Sequence, residues 1–193
     1  MILVLTTPRT ASSWFCDYIA WQHNYTQSGE LFNLPALKGD LAKQAALLDS
    51  ITADPNQVVK VFPWHIRRVL NLPTLKVLSN LDHKLISAAE KLYFLARKDF
   101  NAQCRSYYIS TVTDHWDGDK LDTRFIKYDP VRYKMCADTL KLGYQCLAGY
   151  YSLAKEPIMV YTENLPQTGK YEQPVVWDTE PDLIDFDVTA CFK

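Results

Sequence analysis

The sequence predicts an α/β fold, a three-layer sandwich with a central parallel sheet, and three observations predict it. Short apolar runs of strand length recur at 2–5, 58–62, 92–96 and 156–162. Longer segments with helical spacing lie between them. Finally, the first run passes into a helix through the polar loop TTPRTASS, residues 6–13. Strands alternating with helices require right-handed crossovers, which set the strands parallel and cover both faces of the sheet. In such sheets ligands sit outside the carboxyl ends of the strands, where the TTPRTASS loop falls.

Taken in order, Ile2 to Leu5 is a buried strand and Ser12 to Trp21 continues as a helix. The segment LPALKGDLAKQAALLDSI (34–51) carries apolar residues at helical spacing, and VVKVF (58–62) is a β-branched second strand. HIRRVLNL and DHKLISAAEKL (82–92) predict helices, LYFLA (92–96) a third strand, and DFNAQCRSYYIST a further helix. A polar loop is expected from about 113 to 129, then a long helix over 130–154 with Pro130 in its first turn. EPIMVYT supplies a fourth strand, and the tail beyond it, rich in Pro and acidic residues, has weak periodicity.

With 193 residues, 48% hydrophobic and 22% charged, the chain has the size and composition of a single domain over 1–193. A formal net charge of −1 gives no overall basic field for nucleic acid or an anionic membrane, so any anion site must be local. The apolar N-terminal run is too short for a signal peptide or a membrane span, and a cytoplasmic location is expected. Cys16, Cys104, Cys136, Cys146 and Cys191 are odd in number and lack CxxC spacing, which predicts buried free thiols and no zinc site. His115 with Asp114, Asp117, Asp119 and Asp122 lacks the EF-hand pattern and reads as a solvated loop.

A strand, a tight polar loop and a helix start form a natural anion holder, because N–H groups and the macrodipole face the incoming charge. The loop has no GxxxxGK[ST], yet it offers Arg9 and the hydroxyls of Thr10, Ser12 and Ser13. TPRTASSW resembles the loop that binds the 5'-phosphosulfate in sulfotransferases, written PKSGTTW or PRSGSTW. Pro8, Arg9, Ser12, Ser13 and Trp14 stand in matching places, Thr10 replaces the usual Ser and Ala11 the usual Gly. YFLARKDFNAQCRSYY (93–108) is similar to that family's segment for the 3'-phosphate of the nucleotide: Arg97 ends the strand and Ser106 follows nine residues later on the helix. Asp99 and Gln103 between them match the LxRxDxxxQxxS form of bacterial trehalose-type sulfotransferases. SGELFN (28–33) resembles a GExFN stretch that places a Glu at the acceptor, and VYTENL (160–165) resembles a late YEDL turn. NLPQTGK (164–170) is a weak stand-in for the family's C-terminal RKGxxGDWK loop.

The resemblance implies a P-loop NTPase-like sulfotransferase fold. The implied reaction moves a sulfuryl group from 3'-phosphoadenosine 5'-phosphosulfate to a hydroxyl or amine of a small-molecule or glycan acceptor, leaving adenosine 3',5'-bisphosphate. By analogy with phosphoryl transfer, such an enzyme aligns nucleophile and leaving group and stabilises charge growing on the bridging oxygen. Arg9 would supply the cation in place of a Walker lysine, with no metal of the nucleotide-kinase type. Pro8, Arg9, Thr10, Ala11, Ser12, Ser13 and Trp14 would hold the 5' end of the donor, and Arg97 and Ser106 its 3'-phosphate, although Arg97 has Asp99 as an alternative ion-pair partner. Lys60 resembles a lysine that contacts the sulfate. Glu30 is the expected general base, with His65 the second candidate, five residues after Lys60. Trp14, Phe62 and Trp64 fit either stacking on adenine, an acceptor pocket, or simple core packing. Two other readings stay open: a P-loop-type kinase, and a non-catalytic nucleotide-binding protein of the same fold.

Overall fold

The computed structural model describes residues 1–31, 40–63, 80–114, 116, 125–166 and 176–193. In chain order the elements are β1 (Ile2–Thr6), α1 (Ser12–His23), β2 (Thr26–Gln27), α2 (Leu41–Ala53), β3 (Gln57–Val61) and α3 (Asn80–Ala88). There follow β4 (Lys91–Ala96), α4 (Phe100–Thr113), β5 (Phe125–Ile126), α5 (Pro130–Leu153), β6 (Pro157–Tyr161) and β7 (Val176–Trp177). Short 3-10 turns cover Thr162–Asn164 and Val188–Phe192.

All five residues of β1 are buried, which suits the central strand of a sheet covered on both faces. The strand order is β2-β3-β1-β4-β6, and every pairing is parallel. Because side chains alternate along a strand, β1 sends Ile2 and Val4 to one face and Leu3 and Leu5 to the other. Ile2 and Val4 join Val58 and Leu95 under Phe15, Cys16, Ile19 and Ala20 of α1. Leu3 and Leu5 join Val59, Val61 and Phe94 in the larger core formed with α2 to α5. The result is three layers: α1, the sheet, and α2 to α5.

The four expected strands are present, with β3 starting at Gln57 and β4 at Lys91. The expected helix over 82–92 is cut back to Ala88, because Lys91 and Leu92 belong to β4, in register with Ile2 and Leu3. Asp40 caps α2 at its start, so within the expected 34–51 segment the described helix begins at Leu41 and runs on to Ala53. Two features were not expected. β2 consists of Thr26 and Gln27 alone, and β5 with β7 forms a separate two-stranded sheet inside segments read as loop and tail. The expected helix at HIRRVLNL lies outside the described residues. No helix among the described residues is long and apolar enough to cross a membrane.

Candidate anion-binding site

The loop between β1 and α1 lies at the carboxyl end of the central strand. Two of its residues take left-handed backbone conformations without being glycine: Arg9 at φ 63° and Ala11 at φ 55°. The other non-glycine cases among the described residues are Asn24 and Asp114, both at helix C-caps, where Asn and Asp commonly sit left-handed. Arg9 and Ala11 have no such excuse, and each costs about 1–2 kcal/mol. Strain of this kind persists where surrounding structure enforces it, and alternating conformations of this kind build anion-binding concavities from backbone N–H groups.

The helix that follows is open at its start. Asp40, Asp99 and Asp129 cap α2, α4 and α5, each accepting hydrogen bonds from first-turn N–H groups. α1 begins on Ala11, with no side-chain cap and no acidic residue in its first turn. Its positive end is therefore not met by a capping side chain or an acidic residue of its own first turn.

A buried cation reaches the same place. Alternation along β3 puts Lys60 on the face that bears Val58, under α1, and it is only 6% exposed. Its Nζ donates to Ser13 Oγ at 2.9 Å and pairs with Glu30 Oε1 at 2.8 Å. Glu30 arrives because the chain leaving β2 keeps to the edge of β3: Ser28 N–H donates to Val58 C=O at 3.0 Å, and Lys60 N–H to Gly29 C=O at 3.1 Å. Gly29, at φ 67°, supplies the turn there. An expected base and an expected sulfate-contacting lysine, thirty positions apart in the chain, thus meet at the first turn of α1. Burial raises the Cys16 thiol beneath this helix to about 12, against the opposing pull of Lys60.

Arg9 runs the other way. Its Nε donates to Ser106 Oγ at 2.8 Å and its Nη1 to the Trp116 C=O at 2.7 Å. Lys60 is thus a cation bonded into the α1 start, whereas these two bonds of Arg9 reach α4 and the Trp116 carbonyl beyond it. The two anion motifs seen in the sequence converge through this Arg9–Ser106 contact. Arg97 follows β4 at its carboxyl end, half-buried, and its guanidinium has no ion-pair or hydrogen-bond partner among the described residues. Asp99, the alternative partner, is occupied as the cap of α4, accepting from Ala102 N–H at 2.9 Å.

The remaining expected residues separate into two groups. Ala11 and Ser13 form the exposed lip of the loop, whereas Pro8, Thr10 and Ser12 are buried. The Thr10 hydroxyl is engaged inward, 2.6 Å from Thr6 Oγ1 and 3.0 Å from the Thr7 C=O, so Thr10 can offer a ligand only its main chain. Trp14 is half-buried and stacks on Tyr18 with ring centroids 5.4 Å apart. Phe62 lies 5.5 Å from Lys60 Nζ, ring centroid to nitrogen. His65 and Trp64 lie outside the described residues, as does the TGK of NLPQTGK. The chain matches no protein-family model and no curated protein.

Three residues that sequence reasoning did not assign support the loop from below. Gln103 was visible only as a motif letter, Thr162 only as a position within the VYTENL turn, and Tyr144 carried no mark beyond its place in a helix. Gln103 Nε2 donates to Pro8 C=O at 2.6 Å and to Thr7 Oγ1 at 2.8 Å, while its Oε1 accepts from Tyr144 OH at 2.6 Å. Tyr144 OH also accepts from Arg97 N–H at 3.1 Å, and burial pushes the phenol up to about 12, so it stays a donor at neutral pH. Thr162 Oγ1 stands 3.0 Å from Thr10 C=O and 3.1 Å from Ala96 C=O. Beside it, the Glu163 carboxylate accepts from Lys98 N–H at 3.2 Å and Asp99 N–H at 3.0 Å, bracing the turn that carries Arg97.

Proposed function

We propose that this chain is a sulfotransferase of the P-loop-like fold, taking 3'-phosphoadenosine 5'-phosphosulfate as donor and a hydroxyl or amine of a small molecule or glycan as acceptor. The observation that carries the reading is the uncapped start of α1 with the buried Lys60 ammonium bonded into its first turn beside Glu30. A helix N-terminus and a desolvated ammonium together favour an anion, and a carboxylate beside them supplies a base at the place where the acceptor's proton must leave. In this reading the loop N–H groups and Lys60 stabilise charge on the transferring group and the bridging oxygen. Glu30 takes the acceptor proton. Arg97, with Ser106 and Arg9, faces the 3'-phosphate, for which a guanidinium fork is well matched.

Calorimetric titration with adenosine 3',5'-bisphosphate, AMP, ATP and GTP tests the donor assignment. Preference for adenosine 3',5'-bisphosphate over AMP is the expected result, and preference for magnesium-ATP would replace the reading by a kinase. Transfer of labelled sulfate from the donor to a panel of hydroxyl and amine acceptors then tests catalysis. Glu30→Gln is expected to retain donor affinity while lowering turnover by about 10² or more. Donor binding without transfer to any acceptor would leave the non-catalytic nucleotide-binding reading in place.

A further inference from the structure

We propose that Gln103 and Thr162 are positioning residues that turn the N–H groups of Arg9 and Ala11 outward, towards the bound anion. The inference rests on the anion-site reading and adds residues to it. All peptide bonds among the described residues are trans, and in a trans peptide the N–H points opposite to the C=O. Gln103 Nε2 holds the Pro8 carbonyl inward, so the next N–H, that of Arg9, faces away from the core. The single Thr162 hydroxyl proton, shared between the Thr10 carbonyl at 3.0 Å and the Ala96 carbonyl at 3.1 Å, holds the Thr10 carbonyl inward, and the N–H of Ala11 is likewise turned out. These are the two residues of the β1–α1 loop whose backbone is left-handed. Donors on two separate elements, Gln103 buried and Thr162 half-buried, therefore enforce the strain that the loop sequence alone would relax.

The orientation of Gln103 is fixed independently. A carbonyl can only accept, so the atom beside Pro8 C=O must be the amide nitrogen, which leaves Oε1 for the Tyr144 hydroxyl. Gln103 and Tyr144 are both completely buried, so no water competes for these bonds.

The test is a titration with inorganic phosphate followed by the amide NMR shifts of Arg9 and Ala11. Both amides are expected to move in the wild-type protein. Thr162→Val keeps shape and loses the donor, so it should silence the Ala11 response and weaken phosphate binding about tenfold. Thr162→Ser should restore both, a rescue that a purely packing role would not give. Gln103→Leu should silence Arg9, but it also strands buried polar groups; should that variant fail to fold, the Thr162 pair still decides. Wild-type phosphate affinity in Thr162→Val would overturn the proposal, as would Arg9 and Ala11 amides that ignore phosphate in the wild-type protein. Amides that respond to phosphate without any preference for adenosine 3',5'-bisphosphate over AMP would support the positioning roles and remove the donor assignment instead.

Discussion

Ala11 is the residue at which local preference and global fold disagree most plainly. Its Cβ meets the carbonyl crowding of the left-handed region, where the sulfotransferase loop it resembles carries glycine. Ala11→Gly removes that clash and adds some unfolded-state freedom, so a net gain of about 1 kcal/mol in unfolding free energy is expected from urea titration. A loss of stability would mean that the loop does not hold this backbone. Arg97 offers a second test on a single side chain. Its guanidinium has no partner among the described residues, so Arg97→Ala should leave the fold intact. Affinity for adenosine 3',5'-bisphosphate should then fall by about 1.5–3 kcal/mol, the worth of a charged hydrogen bond, while AMP binding stays near wild type. Equal losses for both nucleotides would show that Arg97 acts through the fold. At this scale the sequence marked Arg9, Lys60 and Arg97 by residue type and place. It could not show that Arg9 bonds to Ser106, ninety-seven positions on, because that contact depends on how α4 leans against the loop.

Elements differ in how they end, and the ends divide structural from functional roles. Asp129 accepts from Val131 N–H at 2.9 Å and Arg132 N–H at 3.1 Å, and Pro130 occupies the first turn, so α5 is closed at its start. Asp129→Ala should cost about 1 kcal/mol in unfolding free energy and leave phosphate affinity unchanged, as measured by denaturant midpoint and calorimetry on the same samples. A parallel loss of phosphate binding would connect α5 to the site in a way its cap does not explain. Long elements were legible because their periodicity is long: Pro130–Leu153 and the β-branched run around Val58–Val61 announce themselves. β2 could not be read. Its two polar residues have no pattern of their own, and they are strand only because Thr26 N–H donates to Asn56 C=O and Ser28 N–H to Val58 C=O, at 2.9 and 3.0 Å.

For the whole molecule, alternation of strands and helices foretold a parallel sheet, but not the order that sets β3 and β4 on either side of β1. That order brings Lys60 and Arg97 to opposite flanks of one loop. The same burial makes the molecule sensitive to alkali. Cys16 and Cys104 are raised from 9.0 to about 12, and Tyr133 and Tyr144 from 10.0 to about 12, in each case chiefly by burial. Unfolded, these groups release their protons near their ordinary values; folded, they keep them. Between about pH 9 and 12 the native state therefore binds more protons than the unfolded state, and stability must fall as pH rises. The contribution is fully present below pH 9, and each group acting alone removes about 1.4 kcal/mol per pH unit inside that window. Urea unfolding followed by tryptophan fluorescence should give a midpoint that declines steeply above pH 9, with cooperative loss of the fold before pH 12. Cys16→Ala should lower the neutral-pH midpoint slightly and flatten the alkaline slope by one group's share, because its thiol no longer titrates. A midpoint that stays level through pH 10.5 would mean that these thiols and phenols exchange protons freely, and that the layers around them are not closed to water.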